Sequence, residues 1–143
     1  MIFYTGDIHG NNTDIIEFCK MHELAASDVV VLLGDVGANY YTGKRDRKMK
    51  EAFAKVAPTF LCIHGNHEMR PDTIDTYKQR EWNSGIVWYE EEFPNLLFAK
   101  DGEIYEILRV EQLSLNSKPA FYINEFFIKK FNAKPLDFEK YKF

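Results

Sequence analysis

Asp7, His9, Asp35 and Asn66 have the residue types and the spacing to hold divalent cations. They sit in three short motifs, Asp7-Ile8-His9, Gly34-Asp35-Val36-Gly37 and Gly65-Asn66-His67-Glu68, each just after an apolar run. Asp7 gives a hard oxygen donor and His9 an imidazole nitrogen; two positions apart beyond a strand, they point the same way. The Asp35 carboxylate can bridge two ions, and Asn66 adds a neutral amide oxygen. Mixed oxygen and nitrogen donors suit Mn²⁺, Fe or Zn²⁺ better than Ca²⁺. His67 follows a ligand directly and is placed to give a proton to a leaving alkoxide. Glu68 is placed to orient that imidazole and keep it protonated. The chemistry such a set performs is hydrolysis of a phosphate ester by metal-activated water.

These residues must be brought together by the elements between them. Ile2 to Thr5 is a short β-prone start, and Val29 to Leu33 and Thr59 to Ile63 are unbroken apolar runs. Such runs suit strands buried on both faces, as in a parallel sheet. Ile15, Phe18, Cys19 and His22 keep helical spacing between the first two, with Asn12 or Thr13 to cap the helix. Met49, Ala52, Phe53 and Val56 do the same between the second and third, and Pro58 stops that helix. The order is βαβαβ. Asp7 to Asp35 spans 28 positions and Asp35 to Asn66 spans 31, close to the roughly 30 residues of one βαβ unit. Each motif therefore lands past the carboxyl end of its strand, where open α/β sheets bind ligands. Further on, Thr73 to Arg80 reads as a short helix. Ile86 to Tyr89, Leu96 to Ala99 and Ile104 to Leu108 read as strands, with Asp101-Gly102 turning a hairpin between the last two. Pro119 to Phe131 reads as a helix.

Each motif alone recurs by chance; three in order at βαβ spacing do not. Gly6-Asp7-Ile8-His9-Gly10, Gly34-Asp35-Val36-Gly37 and Gly65-Asn66-His67-Glu68 resemble the first three signature blocks of the calcineurin-like metallophosphoesterases. The resemblance covers about residues 1–106. It implies a truncated form of that family's α/β sandwich with a mostly parallel βαβαβ core. It also implies that Asp7 and His9 hold a first metal, Asp35 bridges, Asn66 holds a second, and His67 is the acid. The family continues with a further histidine and a Gly-His-x-His block, whereas the histidines here are His9, His22, His64 and His67. The first position keeps Asp7, His9 and Asp35, and the second only Asp35 and Asn66. One well-held ion rather than two is expected. His22 lies near the far end of its helix, about 15 Å from the ligand edge at 1.5 Å per residue. His64 is expected to pack or hydrogen-bond locally.

Lys44, Arg45 and Arg47 follow the second block, and Arg45 is taken as a contact for the substrate phosphate. Tyr40 and Tyr41 either wall the cleft or cover it. With 143 residues, 45% of them hydrophobic and 28% charged, one globular domain is expected. A net charge of −4 gives no nucleic-acid surface. No signal peptide or membrane span is read, and Cys19 and Cys62 fit buried free thiols in a cytoplasmic protein; homo-oligomerisation is left open. Residues 1–106 are acidic on balance. Residues 107–143 are basic, lack glycine and hold half of the 12 phenylalanines, marking an atypical C-terminal segment of the same domain. Two functions remain open. One is a weakly active, truncated metal-dependent phosphoesterase acting on a monoester or diester. The other is an inactive relative serving as a metal- or phosphate-binding or regulatory module.

Overall fold

The structure is a computed structural model that describes residues 1–40 and 43–107. Two βα steps and a third strand run through β1 (Ile2–Thr5), α1 (Thr13–Met21), β2 (Val29–Leu33), α2 (Lys44–Phe53) and β3 (Thr59–Ile63). A 3₁₀ turn over Pro71–Thr73 leads to β4 (Lys78–Trp82), β5 (Gly85–Tyr89) and β6 (Leu96–Ala99). All six strands form one sheet in the order β1-β2-β3-β6-β5-β4. β1, β2, β3 and β6 are mutually parallel, and β5 runs against both its neighbours. The expected mixed α/β architecture with a mostly parallel βαβαβ core is present. Among the described residues no helix is long and apolar enough to cross a membrane.

The apolar runs make strands because both faces of the sheet are covered. Phe3, Val30, Phe60 and Leu96 fall on one row across it. Phe18 of α1 meets Phe3 at 5.2 Å between ring centroids, and Phe53 of α2 meets Phe60 at 4.7 Å. Both helices therefore lie on the same face. The opposite face buries Val29, Val31, Leu61, Val87, Leu97 and Ala99, with Tyr105 and Ile107 packed against them. Ile15, Phe18 and Cys19 carry the buried stripe of α1, as the spacing required. Asn12 takes the N-cap position of α1, but its side chain makes no capping bond there; its amide donates to the Met49 carbonyl at 3.4 Å.

Two expectations change. Thr73 to Arg80 is not a helix: a 3₁₀ turn ends at Thr73, and Lys78 to Trp82 is the edge strand β4. Strand pairing decides this, since five residues of β4 lie opposite β5. A two-residue turn joins the pair, with Asn83 at φ 46° and Ser84 at φ 69°, the geometry of a type I′ hairpin. The charged residues of β4 are what a solvated edge carries. Nor do residues 104–107 form a strand. Asp101-Gly102 does turn the chain, with Glu103 N–H donating to Lys100 O, but no hairpin follows. Tyr105 is the cause. Its ring covers Gly85, its hydroxyl donates to Ile86 O at 2.7 Å, and Lys100 N–H donates to it at 2.8 Å. The helix expected over Pro119 to Phe131 and nearly all of the atypical C-terminal segment lie outside the described residues.

Candidate metal centre

The three motifs meet where β1, β2 and β3 end. Backbone hydrogen bonds join the first to the second: Asp7 N–H to Gly34 O (3.2 Å), His9 N–H to Asp35 O (2.8 Å) and Gly10 N–H to Val36 O (2.9 Å). Gly34 N–H then donates to Ile63 O at 2.9 Å, tying the second to β3. This stitching holds Asp7, His9 and Asp35 at φ 58°, 45° and 39°. Non-glycine residues seldom take left-handed backbone, and such positions concentrate at functional sites. Nothing in the residue types alone announces this strain.

One ligand atom from each of Asp7, His9 and Asp35 lies within 4.8 Å of the other two. His9 Nε2 is 2.9 Å from Asp7 Oδ1, and the two side chains are 52% and 72% exposed, open to an incoming ion and substrate. Two carboxylates and an imidazole are a donor set for a borderline divalent cation. Asn66 stands exposed between Gly65, whose Cα packs beside Gly34, and His67, whose N–H reaches Asp35 Oδ1 at 3.3 Å. The His67 ring is exposed and lies 5.9 Å from that of His9.

Glu68 does something the sequence reading did not foresee. It was expected to orient the His67 imidazole. Instead it is buried, and its two oxygens accept Gly37 N–H and Gly65 N–H, each at 2.9 Å. It clamps the second motif to the third. Burial pushes its carboxyl above the usual range and Asp35 adds to that, while the backbone N–H groups of Gly65, Gly37 and Val36 pull the other way.

Tyr40 is the second such residue. Its hydroxyl lies 3.2 Å from His9 Nδ1, on the opposite side of the imidazole from Asp7. The sequence offered only an aromatic pair after the second motif, and the contact spans 31 positions. Arg45 lines a cavity that His9 and Tyr40 also line. Arg47 faces elsewhere, paired with Glu51 at 3.1 Å and Glu92 at 2.6 Å. His64 packs locally as expected, beside Arg70 and Asp101, and burial lowers its pKa ahead of the Arg70 charge. His22 caps the far end of α1 against Phe18. Cys19 and Cys62 are buried free thiols.

A family model described as calcineurin-like phosphoesterase matches residues 1–137. No curated protein and no solved structure matches the chain.

Proposed function

This chain belongs to the calcineurin-like phosphoesterase family, and from that premise we propose that it hydrolyses a phosphate monoester or diester with a divalent cation held by Asp7, His9 and Asp35. The observation that carries this reading is the convergence of those three donors on strained backbone at the sheet edge. A cation held there by Asp7, His9 and Asp35 would supply Lewis-acid chemistry towards a phosphate ester and its attacking water. Asp35 brings the charge best placed to serve two ions, and Asn66 is assigned to the second. With three donors at one position and two at the other, one Mn²⁺, Fe or Zn²⁺ ion is firmly held and a second weakly.

The other roles follow from placement. His67, exposed beside the donor group, gives a proton to the leaving oxygen. Arg45 offers its guanidinium to phosphoryl oxygens. Glu68 acts through the backbone, holding the second and third motifs together, and not through His67. Tyr40 fixes the His9 ring: when Nε2 is a ligand, Nδ1 carries the hydrogen and donates to the Tyr40 oxygen. Tyr40→Phe should therefore weaken Mn²⁺ binding about 10-fold, the low end for an outer partner of a ligating histidine, with the melting temperature unchanged. Calorimetric titration with Mn²⁺ measures this, and equal affinities would remove Tyr40 from the site.

The experiment for the assignment is turnover of an aryl phosphate and an aryl phosphodiester by the full chain, with and without Mn²⁺, alongside metal content after dialysis. Slow, Mn²⁺-dependent turnover and no more than one retained ion are expected. Metal-independent turnover would refute the reading. The poorly furnished second position favours one alternative, a module that binds metal and phosphate for regulation; phosphate binding with no turnover would select it. The buried free thiols fit a reducing compartment, from which we infer the cytoplasm as the location.

A further inference from the structure

Asn39 joins more of the molecule than its place after the second motif suggests. It is fully buried and sits at φ 65°, a left-handed conformation that asparagine tolerates better than most residues. Each of its polar groups has a partner. Its N–H donates to an Asp46 oxygen, and its carbonyl accepts Met69 N–H at 3.1 Å. Its side-chain amide meets the Tyr77 hydroxyl across 38 positions of sequence: Nδ2 donates to that oxygen at 2.9 Å, and the hydroxyl donates to Oδ1 at 3.0 Å. Burial pushes the Tyr77 hydroxyl well above the usual phenol range, so it stays a donor. The network continues outward. Asp46 pairs at 2.9 Å with the buried Lys50 ammonium, which lies over the Tyr77 ring at 5.0 Å and also pairs with Glu90 at 2.6 Å. Buried polar networks whose groups are paired in this way rigidify the backbone they hold.

That backbone leads directly to the donors. Tyr40 is the next residue, and its hydroxyl is 3.2 Å from His9 Nδ1. Met69 follows Glu68, the clamp between the second and third motifs. We propose that Asn39 and Tyr77 are positioning residues for the metal centre: their buried pair fixes the turn that presents the Tyr40 hydroxyl to His9. Neither is a ligand, and their effect reaches the imidazole through Tyr40. The inference rests on the role given to Tyr40 above and adds what sets that residue in place.

A double-mutant cycle on Mn²⁺ affinity, read by calorimetry on the full chain, tests this. Tyr77→Phe keeps the ring against Phe98 and Lys50 and removes only the hydroxyl. Introduced into the wild type it should weaken Mn²⁺ binding about 10-fold, the loss also expected of Tyr40→Phe. Introduced into a chain that already carries Tyr40→Phe, it should weaken binding no further. Asn39→Gly accepts the same left-handed backbone; it should behave as Tyr77→Phe does, and it replaces that variant in the cycle should Tyr77→Phe not fold. Asn95→Ala is the control for a general loss of stability. The Asn95 amide reaches Phe53 O, Val56 O and Pro58 O at 3.1–3.2 Å, beside the start of β3 and so at the end of that strand away from the donors. Its removal should lower the melting temperature and leave Mn²⁺ affinity as it was. Wild-type affinity in both Tyr77→Phe and Asn39→Gly would overturn the proposal and leave the role of Tyr40 standing. Losses that multiply in the Tyr40→Phe/Tyr77→Phe chain, an equal loss in Asn95→Ala, or a wild type that binds no Mn²⁺ would also overturn it. Coupling without turnover of any aryl phosphate would keep the positioning role and sink the hydrolytic assignment. Turnover without coupling would do the reverse.

Discussion

Asp35→Asn should reduce Mn²⁺-dependent turnover of an aryl phosphate by at least about 100-fold, the upper range for losing even an outer partner of a metal ligand. The substitution keeps the side chain's shape and removes its charge. A ligand oxygen of Asp35 lies within 4.8 Å of those of Asp7 and His9, and Asp35 Oδ1 also receives His67 N–H at 3.3 Å. Asparagine can keep that hydrogen bond, so the loop with Asn66 and His67 stays in place. What disappears is the negative charge that a divalent cation requires. Folding should hardly notice, because Asp35 makes no ion pair with Lys or Arg among the described residues and crowds two like-charged carboxylates, Asp7 and Glu68. The melting temperature should be unchanged or slightly higher without metal, and the stabilisation by added Mn²⁺ expected of the wild type should be lost. Activity and melting curves with and without Mn²⁺ decide together. A variant retaining full Mn²⁺-dependent turnover would show that the metal is held elsewhere.

The parts of the fold that the sequence discloses are those where one physical term dominates. Val29 to Leu33 reads as a buried strand because a short unbroken apolar run suits burial on both faces, and Val29 to Leu32 are buried while Leu33, at the ligand edge, is exposed. The three motifs disclosed their own meeting place because a βαβ unit returns the chain to the same sheet edge. β4 was hidden for the opposite reason. Lys78 to Trp82 is charged and alternates poorly, and its strand character comes from β5, joined through the left-handed Asn83-Ser84 turn. Ile104 misled because its propensity suits a strand, yet its side chain stands 82% exposed while the neighbouring Tyr105 tethers the segment to β5. In the site, donor types were legible and their supports were not. Glu68 reads as a partner for the adjacent imidazole, but two N–H groups that no helix or strand uses lie closer at hand. Arg45 and Arg47 look equivalent in sequence. Which one faces the cavity is set by how Phe53 and Met49 seat α2 on the sheet.

The backbone around the donors should be the least tolerant part of the chain, and Gly37→Ala should destabilise it by about 3 kcal/mol or more. Gly37 sits at φ +89°, and an added Cβ would lie 2.5 Å from Gly10 Cα and 2.9 Å from the His9 carbonyl carbon, closer still to Gly10 N. These are backbone atoms of the first motif, zipped to the second by Gly10 N–H to Val36 O, and cannot swing aside as a side chain would. Gly102 supplies the control. It sits at φ +79° with nothing within 4 Å of the added carbon. Gly102→Ala therefore carries only the left-handed penalty, about 1–2 kcal/mol. The difference between the two variants isolates the close approach of the motifs. For a chain of this length 3 kcal/mol lowers the melting temperature by about 10 °C, against roughly 3–6 °C for the control. Gly65→Ala should resemble Gly37→Ala for a related reason: its Cβ would fall 2.5 Å from Asp35 N and 2.6 Å from Asp35 Cγ. Both variants displace a donor as well as strain the fold, so Mn²⁺ affinity should fall with stability. Gly102→Ala should bind Mn²⁺ as the wild type does. Thermal melts and Mn²⁺ titrations of the three proteins measure both effects, and a Gly37→Ala chain no less stable than Gly102→Ala would show that the first two motifs are not packed as tightly as these contacts require.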